Sequence, residues 1–160
     1  MKTKYLLIII CMMGSSFGFA QNNTFGSLFD KYENEDDVTI VSISKAMFNM
    51  IPGNISTGNV DIKDILPKIE SLLLITSGTS EMRDKMYSEF KNITEKDKNF
   101  EQLMRVKDNK SNVNFHVRKS GNTIKELILL VSEEKNFVAI QILGNFTVED
   151  IQKITKENTQ

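Results

Sequence analysis

Phe25, Leu28, Phe29 and Tyr32 fall at i, i+3, i+4 and i+7 behind Asn23-Thr24, which predicts an amphipathic helix with a polar cap. The acidic run Glu33 to Asp37 follows it. VTIVSIS, residues 38–44, is β-branched at Val38, Thr39, Ile40, Val41 and Ile43 and predicts a strand. Ala46, Met47, Met50 and Ile51 then give a short helical turn that Ser44 caps and Pro52-Gly53 stops. Residues 53–60 read as a loop, and Asp61 as the cap of a brief helix over IKDIL ahead of Pro67. IESLLLIT, residues 69–76, is apolar almost throughout, as a strand covered on both faces would be. Met82, Met86, Phe90 and Ile93 line one side of a helix beginning near Ser80, and Glu81 and Asp84 lie in its first turn, where the helix dipole favours acids.

From residue 101 the period changes. EQLMRVK (101–107), VNFHVRK (113–119), TIKELILLV (123–131) and NFVAIQIL (136–143) are strand-like runs divided by polar turns at Asp108-Asn109, Ser120-Gly121-Asn122 and Glu134-Lys135. That spacing predicts an antiparallel meander. Gly144-Asn145 reads as the end of the last strand, and Thr147 as the cap of a final helix whose Val148, Ile151 and Ile154 point inward. The expected fold is α+β: a mostly antiparallel sheet of about five to six strands with helices packed mainly on one face, ending in a four-strand meander and a closing helix.

The last two strands are apolar at both parities. Leu127, Leu129 and Val131 alternate with Ile128 and Leu130, and Phe137 and Ala139 with Val138, Ile140 and Ile142. Helices on one side alone would leave part of the second face in water. Either further elements of the chain cover it, or a partner protein or a second copy does, making a homodimer through an apolar sheet face. Met47, Met50, Met82, Met86 and Met104 fall at inward-looking positions, where core packing is the default. His116 shares the polar side of its strand with Asn114 and Arg118, and its expected place is an exposed sheet face.

The N-terminal segment changes the setting. Residues 1–20 run from Lys2 and Lys4 through the apolar stretch Tyr5 to Met13 to small residues ending in Ala20. That is the order of a secretory signal peptide, and it predicts export to the periplasm or beyond, with cleavage after Ala20. The apolar stretch falls short of the roughly 20 residues a membrane-spanning helix needs, so no stable insertion is expected after cleavage. Removal leaves residues 21–160 as one α+β domain of 140 residues, with 18 basic against 21 acidic side chains. A mildly acidic surface of mixed charge has no footprint for nucleic acid. The sole cysteine, Cys11, lies within the leader behind Ile8-Ile9-Ile10 rather than a small residue, so it is not a lipid-attachment signal. The mature chain then has no thiol for a disulfide or a nucleophile.

Ser42-Ile43-Ser44-Lys45 has the Ser-x-x-Lys spacing of penicillin-binding enzymes. Their chemistry needs the serine at a helix start, so that the lysine one turn on shares its face and takes its proton. Here Ser42 sits in a strand-like run, where it and Lys45 point to opposite sides. Ser88 to Lys91 and Ser132 to Lys135 repeat the spacing, which shows how cheap it is. Lone His116 excludes a multi-histidine metal site and a histidine relay. The cluster Glu33, Glu35, Asp36 and Asp37 lacks the turn glycine and alternating ligands of a calcium loop. No catalytic residue, cofactor or metal site is assigned. The sequence favours a non-enzymatic binding or protein-interaction module, and a hydrolase using Ser42 and Lys45, or carboxylates distant in sequence, is the alternative.

The blocks ISKAMF (43–48) and MIP (50–52), then LMRVKD (103–108), the hairpin strands and LGNF (143–146) before an acidic final helix resemble the exported bacterial family known as domain of unknown function 4252. The likeness runs from about Phe25 to Ile154. It implies a small secreted domain without established catalytic residues, and an association with envelope-stress signalling.

Overall fold

Phe25, Phe29 and Tyr32 stack on one side of α1 (Thr24–Tyr32), because residues four and seven apart share a helical face, and all three are buried. The computed structural model describes residues 24–50, 56–57, 60–61 and 65–156; the leader and its cleavage position lie outside these. After α1 come β1 (Val38–Ser44), α2 (Lys45–Met50), the two-residue strands β2 (Ser56–Thr57) and β3 (Val60–Asp61), and a 3-10 turn at Leu66–Lys68. Then follow β4 (Ile69–Ser77), α3 (Ser80–Lys96), β5 (Phe100–Lys107), β6 (Asn112–Ser120), β7 (Thr123–Ser132), β8 (Phe137–Phe146) and α4 (Val148–Lys156).

Six strands form one antiparallel sheet in the order β1-β4-β8-β7-β6-β5. The C-terminal meander of β5 to β8 is as expected, and β8 closes the fold by pairing with β4 as well as β7. Its middle position puts the most apolar strands, β4, β7 and β8, side by side.

Helices α1 and α3 cover one face. Phe90 of α3 is their meeting point, with ring centroids 4.9 Å from Phe25, 5.7 Å from Phe29 and 5.4 Å from Phe137 of β8. Ile75, Met86, Ile128, Leu130 and Ala139 complete this core. Lys31 and Tyr32 hold α1 to α3 by donating to Glu89 at 2.7 and 2.9 Å. Burial works against the Glu89 carboxylate, but these two donors outweigh it and keep its pKa below the ordinary range.

Among the described residues the opposite face is covered at one end only. Phe48 of α2, Ile65 and Leu66 at the 3-10 turn, and Ile151 of α4 pack on Ile43, Leu72, Ile142, Leu127 and Val117. Thr147 caps α4 in a reciprocal box: its hydroxyl accepts from Asp150 N–H at 3.2 Å, and its own N–H donates to Asp150 Oδ2 at 2.8 Å. Asp150 also takes Lys68 Nζ at 2.6 Å, so one carboxylate ties the helix start to the 3-10 turn.

Several expectations need correction. β8 does not end at Gly144-Asn145 but continues to Phe146, which pairs with Ile124 of β7; Gly144 is glycine because a Cβ there would meet Lys68 O and the Phe146 ring. In α2 the buried residue is Phe48, while Met47 and Met50 are 57% and 76% exposed; a one-step rotation of the helix relative to the expected stripe brings the bulkier ring inward. Val148 and Met104 are likewise exposed, Val148 at the first position of α4 and Met104 on the edge strand β5. Most of IKDIL lies outside the described residues; Asp61 pairs with Ser56, and Pro67 sits in the 3-10 turn.

Two substitutions test this packing by urea unfolding. Phe90→Ala is expected to cost about 3–5 kcal/mol through the cavity it opens among four other rings, those of Phe25, Phe29, Tyr32 and Phe137. Gly144→Ala is expected to cost about 1–3 kcal/mol by overpacking against Lys68. A change under about 0.5 kcal/mol in either contradicts the packing described.

Candidate functional site

Strand pairing assigns every sheet residue to a face. Val41, Leu74, Ile140, Leu129, Phe115 and Met104 are opposite one another in turn, from β1 across to β5. Thr39, Thr76, Val138, Val131, Val113 and Val106 form the next such line. Both lines lie on the face away from α1 and α3, next to the line that Phe48, Leu66 and Ile151 cover, and Phe115 packs against that covered cluster. None of the twelve is charged, and none is buried; Val41, Met104 and Val106 are 41%, 46% and 46% exposed. Two lines about 7 Å apart across six strands spaced about 4.8 Å make an uncharged strip roughly 24 Å long and little more than 10 Å wide.

The polar residues of the same strands face the other way, beneath the helices. Arg118 of β6 pairs with Glu126 of β7 at 3.0 Å and reaches Asp97, just after α3, at 3.2 Å. Gln141 of β8 donates to Glu126 Oε1 at 2.6 Å, and Asn114 donates to the Tyr87 hydroxyl of α3 at 3.2 Å. Glu126 and Gln141 are 6% and 1% exposed, so this is a buried belt joining three strands to the helix.

His116 belongs to that belt. It is 4% exposed, correcting its expected place on an open face: the polar side of β6 is the side α3 covers. Gln102 and Ile128 flank it across the sheet, Gln141 lies beyond Ile128, and its Nδ1 has no partner among the described residues. Burial pushes the imidazole pKa down, and Glu95 of α3 opposes this only in part.

Ser42 lines a groove of about 400 Å³ between α1 and β1 with Asp30, Glu33, Ile40 and Leu73. No lysine or histidine lines it; Lys45 is the exposed first residue of α2. The groove therefore does not bring Lys45 to Ser42 as the Ser-x-x-Lys chemistry requires. Ser44 stands immediately before α2, at the cap position. A second cleft, about 520 Å³, opens where α3 meets the β5–β6 and β7–β8 turns, and Arg83, Asp84, Asp108, Lys110 and Glu133 give it mixed charge. Among the described residues no group of three or more His, Cys, Asp or Glu is arranged to hold a metal ion. No described helix is long and apolar enough to cross a membrane.

The strip was half legible beforehand. The double apolar parity of β7 and β8 showed that a second face existed, but not that helix cover would stop after one line. The buried belt was missed because Asn114, His116, Glu126 and Gln141 each sit in separate runs; only the register, His116 to Ile128 to Gln141, gathers them.

The family model described as domain of unknown function (DUF4252) matches residues 32–154, and the chain belongs to that family. A search of curated proteins gives no match.

Since the folded protein favours neutral His116, its stability is complete above pH about 6.5 and falls as the pH drops below that value towards the depressed folded pKa. Glu89 and Asp150, held below their ordinary values, lose their contribution only in a more acidic range, below pH about 4.5. The urea midpoint should therefore drop between pH 7.5 and 5.5, and His116→Gln should flatten that drop. An equal drop in the variant contradicts the assignment.

Proposed function

We propose that this protein is an exported, non-enzymatic protein-interaction module whose contact surface is the uncharged strip. The strip is the observation that carries the reading: its uncharged side chains are continuous across all six strands on a face that the described helices leave open, and such a face is suited to a protein contact. Its shape favours one kind of partner segment. A strip little wider than one helix and roughly 24 Å long matches an amphipathic helix of about 16 residues, at 1.5 Å rise per residue. Such a segment would cover the second face as α1 and α3 cover the first. Export rests on the leader pattern of residues 1–20. Envelope-stress signalling, implied by the family resemblance, is the setting in which we look for the partner.

A photo-crosslinking residue placed in living cells tests this, at Leu129 or Thr76 within the strip and at Ser88 on the outer side of α3. One adduct of the same mass is expected from both strip positions and none from Ser88. Strip positions that stay silent, or a Ser88 adduct of equal yield, contradict the contact surface. N-terminal sequencing of the protein recovered from the envelope should begin at Gln21; a start at Met1 contradicts cleavage.

A further inference from the structure

The sheet has two edges, and the sequence treats them differently. Edge strand β5 carries Glu101, Arg105 and Lys107 and a register shift between Gln102 and Met104. Charges and bulges are the devices that keep an edge from pairing with another chain. The opposite edge, β1, has neither: its seven residues, VTIVSIS, contain no charge and no proline, and pair with β4 without a break. Five of the seven are β-branched, and no strand lies on its outer side among the described residues. This is the flat, uncharged kind of edge that pairs readily.

We propose that β1 pairs antiparallel with β1 of a second copy, making a twofold dimer. The register that overlaps the whole strand is centred on Val41. It sets Val41 against Val41, Thr39 against Ile43, Ile40 against Ser42 and Val38 against Ser44. Residues opposite one another in an antiparallel pair share a face, so no like charges meet and apolar side chains match on the outer face. The same register brings Asp37, just before β1, opposite Lys45, just after it, and symmetry makes that pair twice. Neither side chain has an ion-pair partner among the described residues. Pairing β1 with β5 instead would generate an open chain of copies rather than a closed dimer. In the dimer the two six-stranded sheets become one of twelve, and the uncharged strips run together through Val41. The inference concerns the edge and does not depend on which partner covers the strip.

With Cys11→Ser removing the native thiol, Val41→Cys places two cysteines opposite each other at a Cα separation within disulfide reach. Mild oxidation should give a covalent dimer from Val41→Cys and none from Val106→Cys on β5, with both variants melting as the parent does. Asp37→Lys and Lys45→Asp should each raise the dimer Kd by roughly tenfold, and the double swap should restore it, as surface ion pairs present in two symmetric copies would. A protein that sediments as a monomer at about 100 μM, a covalent dimer from Val106→Cys instead, or a double swap no tighter than the singles overturns the proposal. Loss of strip crosslinking with the dimer intact would count against the proposed function alone.

Discussion

Strands β4, β7 and β8 carry large apolar side chains on both faces, so a sheet built around them has two surfaces to remove from water. The described helices fully cover one. α3 and α1 meet over Phe90 and close the first face, with Ile75, Ile128, Leu130, Phe137 and Ala139 beneath them. Among the described residues, the second face is covered by the six-residue α2, a 3-10 turn and α4, and these cover the line from Ile43 to Val117 and touch Phe115 at its border. The strip is what the described helices leave open.

The distribution of polar groups is the converse of what an open face would suggest. Glu126, Gln141, Asn114 and His116 lie under α3, where Arg118, Tyr87 and Asp97 satisfy several of them, whereas the uncovered lines hold only Thr39 and Thr76 among otherwise hydrophobic residues. Charge-assisted pairing with Arg118 makes a buried Glu126 tolerable. A belt of this kind fixes how α3 sits on the meander, since a shift of the helix would separate Asn114 from Tyr87 and Arg118 from Asp97. The polarity is thus used for registry on the inner side, and the outer side is left to apolar contact.

Most of the fold could be read from periodicity. The i, i+3, i+4, i+7 stripe from Phe25 to Tyr32 and the Met82 to Ile93 face gave α1 and α3, and the turns at Ser120-Gly121-Asn122 and Glu134-Lys135 gave the meander. Failures came where a neighbour distant in sequence decides. Gly144 looked like a strand end because glycine often is one, yet it is required by Lys68, 76 positions earlier in the chain. Phe48 rather than Met47 turns inward because the gap beside Ile43 and Leu72 suits a ring, which no local pattern reveals. His116 was read as exposed from alternation alone, and alternation does not say which side of a strand the helices take. For the candidate site, parity disclosed a second apolar face; its extent depended on strand order and on how far α2 and α4 reach.

One sealed face and one half-open face is the claim on which the functional reading rests. Hydroxyl-radical footprinting of the purified protein measures it directly, side chain by side chain. Met104, Leu129 and Ile140 should be oxidised readily, while Phe90, Leu130 and Phe137 on the opposite side stay protected. Equal protection of Leu129 and Leu130 would mean that both faces are covered, and would contradict the account.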